Sequence, residues 1–140
     1  MHVSFALFAD AANISQEGKL NVLGVFDAVQ VGQTPAVHPR AHLVVRLKAT
    51  PRDVGSHSVT LRWLNPHDEE LWSSAGEIDV GMPPATVTEM DMPIIASIDL
   101  PLDQVGNFTM EVAIDHETCA TVGLQVRSGT PFMPSSALVS

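Results

Sequence analysis

The chain has 140 residues, with no tyrosine, two tryptophans and a single cysteine. Each shortage excludes something. Aromatic residues make up only 5% of the chain, a poor supply for the exposed ring platforms on which sugars stack. Cys119 stands alone, so no intrachain disulfide forms and nothing marks a disulfide-stapled secreted scaffold. No apolar run approaches the ~18 residues that a membrane-spanning helix requires, so direct membrane insertion is not expected. The stretch "ADA" at 9–11 mimics a signal-peptidase site, but no basic region precedes it and Ser4 interrupts the apolar segment. The expected location is therefore cytoplasmic.

Basic residues are also scarce, and unevenly so. Residues 1–64 hold 4 acids and 6 bases, whereas residues 65–140 hold 12 acids and one base, Arg127. The formal net charge is −9. Such a surface repels phosphate backbones and anionic headgroups, which excludes nucleic acid and a bare membrane as partners. It admits a basic protein partner, although acids on hairpin tips also serve solubility alone.

Apolar residues form 45% of the chain and mean hydropathy is +0.17, enough for one packed domain rather than a disordered chain. The recurring period is two. Leu43, Val45 and Leu47 fall on one side with His42, Val44, Arg46 and Lys48 on the other, and Val59, Leu61 and Trp63 alternate with polar neighbours. Phe108, Met110, Val112 and Ile114 form a third such set, and Val122, Leu124 and Val126 a fourth. Alternation of this kind marks strands with one buried face. Turn signals rich in Gly, Pro, Asn and Asp separate the runs.

The pattern predicts eight strands, near 3–13, 19–31, 40–49, 57–65, 70–80, 87–100, 107–115 and 118–127. The predicted fold is an all-β antiparallel β-sandwich, immunoglobulin-like or C2-like, over residues 1–128. Pro93 removes a ladder donor from the sixth run and marks it as an edge or as a strand that bends there. Trp63 is assigned to the core and Trp72 to a partly exposed place after a turn. Residues 129–140 have no period and read as a C-terminal tail, a candidate docking segment. No internal repeat appears.

The stretch "EGKLNVLGVFDAV", 17–29, carries two glycines. A phosphate-binding loop would need more glycines and a helix behind them. A hairpin turn at Gly18 fits better, with a bulge or tight sheet corner expected at Gly24, where the alternation of Leu20 and Val22 gives way to that of Val25 and Asp27.

These residues also carry a resemblance. "ALFADAANISQEGKLNVLGVFDAV", followed by "HPRAHLVVRLKA" and "HSVTLRWLNPHDEEL", resembles a family of short bacterial proteins classed as a domain of unknown function. The similarity spans most of residues 5–126, and "LPLDQVGNFTMEVAID" is similar to a strand found in many sandwich domains. Ala12 stands where relatives often carry an aromatic residue. The resemblance implies a sandwich and supplies no activity and no catalytic residue.

Three functions from different classes follow. The first is a non-enzymatic accessory or scaffold module that stabilises a larger protein assembly, including a peripheral place on a membrane-embedded respiratory or photosynthetic complex. A homo-oligomer is a separate possibility. The module's candidate contacts are Ile94 and Ile95 on the edge run, and Phe132, Met133, Leu138 and Val139 in the tail. The second is a calcium-dependent binding module, with loop carboxylates Asp68, Glu69, Asp99 and Asp103 as hard oxygen ligands. The third is an enzyme built on Cys119 with His116 or His57. That reading needs an electropositive environment for a thiolate, and residues 65–140 are the acidic part of the chain. His116 and Cys119 also lack the paired spacing of a zinc site. No cofactor is expected.

Overall fold

In a computed structural model, residues 1–129 are described and form nine strands and one short 3₁₀ turn. The strands are β1 (His2–Ile14), β2 (Leu20–Phe26), β3 (Ala28–Val31), β4 (Ala36–Ala49), β5 (Gly55–Leu64), β6 (Glu70–Val80), β7 (Met90–Leu102), β8 (Gly106–Ile114) and β9 (Glu117–Ser128). They make a four-stranded sheet ordered β2-β1-β4-β7 and a five-stranded sheet ordered β3-β9-β8-β5-β6. The architecture is the expected all-β sandwich.

The alternating sets fall inward as their period requires. Leu43, Val45 and Leu47 from one sheet meet Val59, Leu61, Trp63, Phe108, Met110, Val112, Val122, Leu124 and Val126 from the other in one buried cluster. Trp63 is its largest member and has no exposed surface. Its ring stacks on Phe108 at 5.3 Å and meets Phe8 edge-on at 5.8 Å. Trp72 is half-buried against the same core. β7 lies at an edge, as Pro93 demands, with only β4 as a ladder partner.

Two expectations need correction. Residues 19–31 are not one strand. The chain breaks at Asp27, so β2 stays in the first sheet while β3 crosses to the second and pairs parallel with β9. The apolar character runs on through the break because β2 and β3 each pack against the sandwich, which hid the boundary. Nor does the parity of β2 change at Gly24. Leu20, Val22 and Phe26 are half-buried, whereas Leu23 and Val25 face solvent. The β1–β2 register passes through Ala11↔Leu23 and Ala9↔Val25 without a shift, so Gly24 is no bulge.

Gly24 is instead the root of a bent arm. The turn at Gly18 closes the β1–β2 hairpin, with Gly18 N–H donating to the Ser15 carbonyl at 2.9 Å. On the outer face of the first sheet, Phe5, Arg46 and Pro93 lie in one cross-strand row. Glu17, Gly18, Lys19, Leu20 and Val22 line one cavity with that row. A straight strand from Phe5 to Ile14 would carry the turn roughly 30 Å away. The hairpin must therefore double back over the outer face. Gly24 has φ +71°, and a Cβ there would collide with the Asp10 carboxylate.

Candidate functional site

The sequence candidates scatter. Ile94 and Ile95 lie on β7 and are half-buried rather than free; Ile94 packs against the core cluster. Phe132, Met133, Leu138 and Val139 lie outside the described residues.

The calcium candidates are drawn to one end only in part. Asn65, 2% exposed, donates from Nδ2 to Asp103 at 2.8 Å. Its Oδ1 accepts from the backbone N–H groups of His67 and Glu69, both at 2.9 Å. Loop 65–69 and Asp103 are therefore neighbours, tied by the Asn65 side-chain amide. Asp99 accepts the Arg40 N–H at 2.9 Å. Among the described residues, no group of three or more His, Cys, Asp or Glu side chains could hold a metal ion.

His116 and Cys119 point to different places. Asp115 and His116, with φ +50° and +70°, form the two-residue turn between β8 and β9, a turn that requires positive φ at both positions. His116 lines a cavity with Arg62 and Glu111, whereas Cys119 lines another with His57, Asp53 and Asp115. Both ring nitrogens of His57 are occupied. Nδ1 lies 2.6 Å from Asp115 Oδ2, and Nε2 lies 2.5 Å from the Asp53 carbonyl oxygen. Both partners accept, so the imidazolium form fits the site. The Asp115 carboxylate, followed by the Asp53 carbonyl, holds His57 above the usual histidine range. In return, His57 and the Ser58 N–H hold Asp115 below the usual carboxylate range. Partial desolvation pushes the Cys119 thiol up although the residue is exposed, and Sγ donates to the Val112 carbonyl at 3.4 Å. His57 is thus an ionic staple joining β5 to the 3₁₀ turn and to the β8–β9 turn, with no lone pair left to activate a thiol.

The features that sequence reasoning missed lie on the first sheet. One is the cavity under the arm, about 450 Å³, lined by Phe5, Leu20, Val22 and Pro93 with Arg46 and Asp91 beside them. Arg46 Nη2 donates to Asp91 at 3.0 Å, and Lys48 pairs with the same carboxylate. Arg46, then Lys48, holds Asp91 below its ordinary range.

The other feature is β2 as an edge. Sheet edges are liabilities that folds commonly blunt with charge, proline or shortness. β7 carries Pro93 and Asp91, β6 exposes Glu70, Glu77 and Asp79, and β3 is only four residues long. β2, "LNVLGVF", has no charge and no proline, and it exposes Leu23 and Val25 at 73% and 60%.

A sequence profile described as a family of unknown function, DUF6941, matches residues 4–127. The chain belongs to that family. No curated protein matches it in sequence. The DUF6941 match takes in the whole arm, the β2 edge and the His57 staple, and stops within β9. The arm and the edge therefore belong to the family's domain and are not an appendage to it.

Proposed function

We propose that the protein is a non-enzymatic accessory module that docks on a larger protein assembly by adding a partner's strand to β2. The carrying observation is that β2, alone among the four sheet edges of the described residues, has none of the usual protection. An extended segment laid along it would gain main-chain hydrogen bonds, and Leu23 and Val25 would offer apolar contacts on one side. The non-enzymatic part rests on the engagement of both His57 nitrogens and on the raised Cys119 thiol. A cytoplasmic place fits the lone cysteine.

The test is co-purification from the source cell, comparing wild type with Val25→Lys. Val25 is exposed, so the substitution leaves the core alone while placing a charge beside the edge. A stoichiometric partner present with wild type and lost with Val25→Lys is the expected result. A chain that purifies alone, or a partner retained equally by the variant, overturns the proposal.

A further inference from the structure

The arm poses a physical problem separate from docking. Leu20 and Val22 are half-buried, yet neither belongs to the core cluster nor packs against it. Their shelter comes from the side of the arm that meets the outer face of the first sheet, where Phe5 and Pro93 form the opposite wall. The space between is about 450 Å³, within the range of small-molecule sites. Phe5, Leu20, Val22 and Pro93 line it together with Glu17, Lys19, Asp91 and the guanidinium-bearing Arg46.

That guanidinium is under-used. Arg46 gives one N–H to Asp91 and makes no other hydrogen bond among the described residues. A guanidinium has five donors in a fork that matches a carboxylate. Asp91 is already shared by Arg46 and Lys48, so it does not engage Arg46 alone. Lys48 and Glu89, 4.0 Å apart, both lie outside the cavity lining. Glu17 and Lys19 at the turn pair with each other and are mostly exposed.

We propose that the cavity between the β1–β2 arm and the outer face of the first sheet binds a small mono-anionic amphiphile. Its apolar body lies among Phe5, Leu20, Val22 and Pro93, and its acidic head accepts from the free N–H groups of Arg46. A medium-chain or aryl carboxylate has this chemistry. The arm is the cover, and its bend at Gly24 sets the depth of the site. This site is independent of strand addition at β2, because the cavity lies on the face where Leu20 and Val22 point, while docking uses the strand's outer edge.

Two naphthalene dyes of similar body test the idea on the purified full chain. Anilinonaphthalene sulfonate carries an anionic head, and N-phenyl-1-naphthylamine carries none. Both should bind saturably, near one per chain, with the anionic dye the tighter. Val22→Trp and Leu20→Trp, each placing an indole in the cavity, should abolish both signals while the thermal unfolding transition remains cooperative. Either variant suffices if the other fails to fold. Arg46→Gln should weaken the anionic dye about tenfold or more and leave the neutral one within twofold. Absence of saturable binding overturns the site, as does binding that survives a folded tryptophan variant. Equal effects of Arg46→Gln on the two dyes overturn the assignment of Arg46 to the head group.

Discussion

The indole Nε1 of Trp63 on β5 donates a 2.8 Å hydrogen bond to the carbonyl oxygen of Pro101 on β7. The bond runs from one sheet to the other near the C-terminal end of β7. It gives the largest core side chain a fixed depth and orientation, because a buried indole N–H without an acceptor would be costly.

Trp63→Phe removes that bond and part of the ring volume while keeping an aromatic body against Phe8 and Phe108. A loss of about 1–3 kcal/mol is expected. Trp63→Ala should cost about 3–5 kcal/mol. Chemical denaturation with an unchanged m-value checks both.

Asn65 offers a sharper contrast. Asn65→Ala strips acceptors from the His67 and Glu69 N–H groups and a donor from Asp103, so a loss of about 2 kcal/mol is expected. Asn65→Asp keeps both backbone acceptances but sets a second carboxylate against Asp103. Its destabilisation should shrink as pH falls through the carboxylate range and one of the pair takes a proton. A pH series of melting curves for the two variants separates the cases.

Gly24→Ala should act locally. Its φ of +71° and the Asp10 carboxylate both oppose a Cβ, and a strained backbone of this kind costs about 1–3 kcal/mol. The arm is not part of the core cluster, so the expected result is faster amide hydrogen exchange in 11–23. The amides of β5 and β8 should stay unchanged. Uniform acceleration across the sandwich would contradict a separately hinged arm.

The His57 staple makes stability depend on pH in a definite direction. A histidine whose pKa is raised on folding stabilises the fold fully below its unfolded value, about 6.5, and loses that contribution as pH rises through the folded value. Asp115, held low, loses its contribution as pH falls through its own lowered value. Wild type should therefore exceed His57→Gln most in mildly acidic solution, with the gap closing toward alkaline pH. A gap that widens with rising pH would show that His57 is neutral in the fold.

The sandwich was legible because β4, β5, β8 and β9 each bury one face, so period two survives in Leu43–Leu47, Val59–Trp63, Phe108–Ile114 and Val122–Val126. Pro93 announced its edge for the same local reason, a missing donor. The crossing at Asp27 was not legible, since a strand that changes sheets keeps its apolar neighbours. Val44 shows a related limit. It is fully buried on the face opposite the main core, and alternation alone placed it in solvent. The arm cavity depends on Gly24 turning the hairpin back, and no spacing rule brings Leu20 and Val22 to Phe5, Arg46 and Pro93. The clear signal was what β2 lacks, namely any charge or proline along an edge.

Asp27 has a further mechanical meaning. It is the only residue between β2 and β3, and its carbonyl accepts the Gln125 N–H at 2.8 Å. The two sheets are thus bound together along the side of β2 and β3 as pages are bound at a spine. On the opposite side β6 and β7 are the terminal strands, the segment between them (81–89) is longer, and residues 103–105 carry β7 over to β8. A gap of about 190 Å³ lies there between Ile94 and the β5–β6 pair. The two sides of the sandwich are thus closed by different means: a one-residue covalent link beside β2, and on the other side the Trp63–Pro101 bond, which ties β5 to β7.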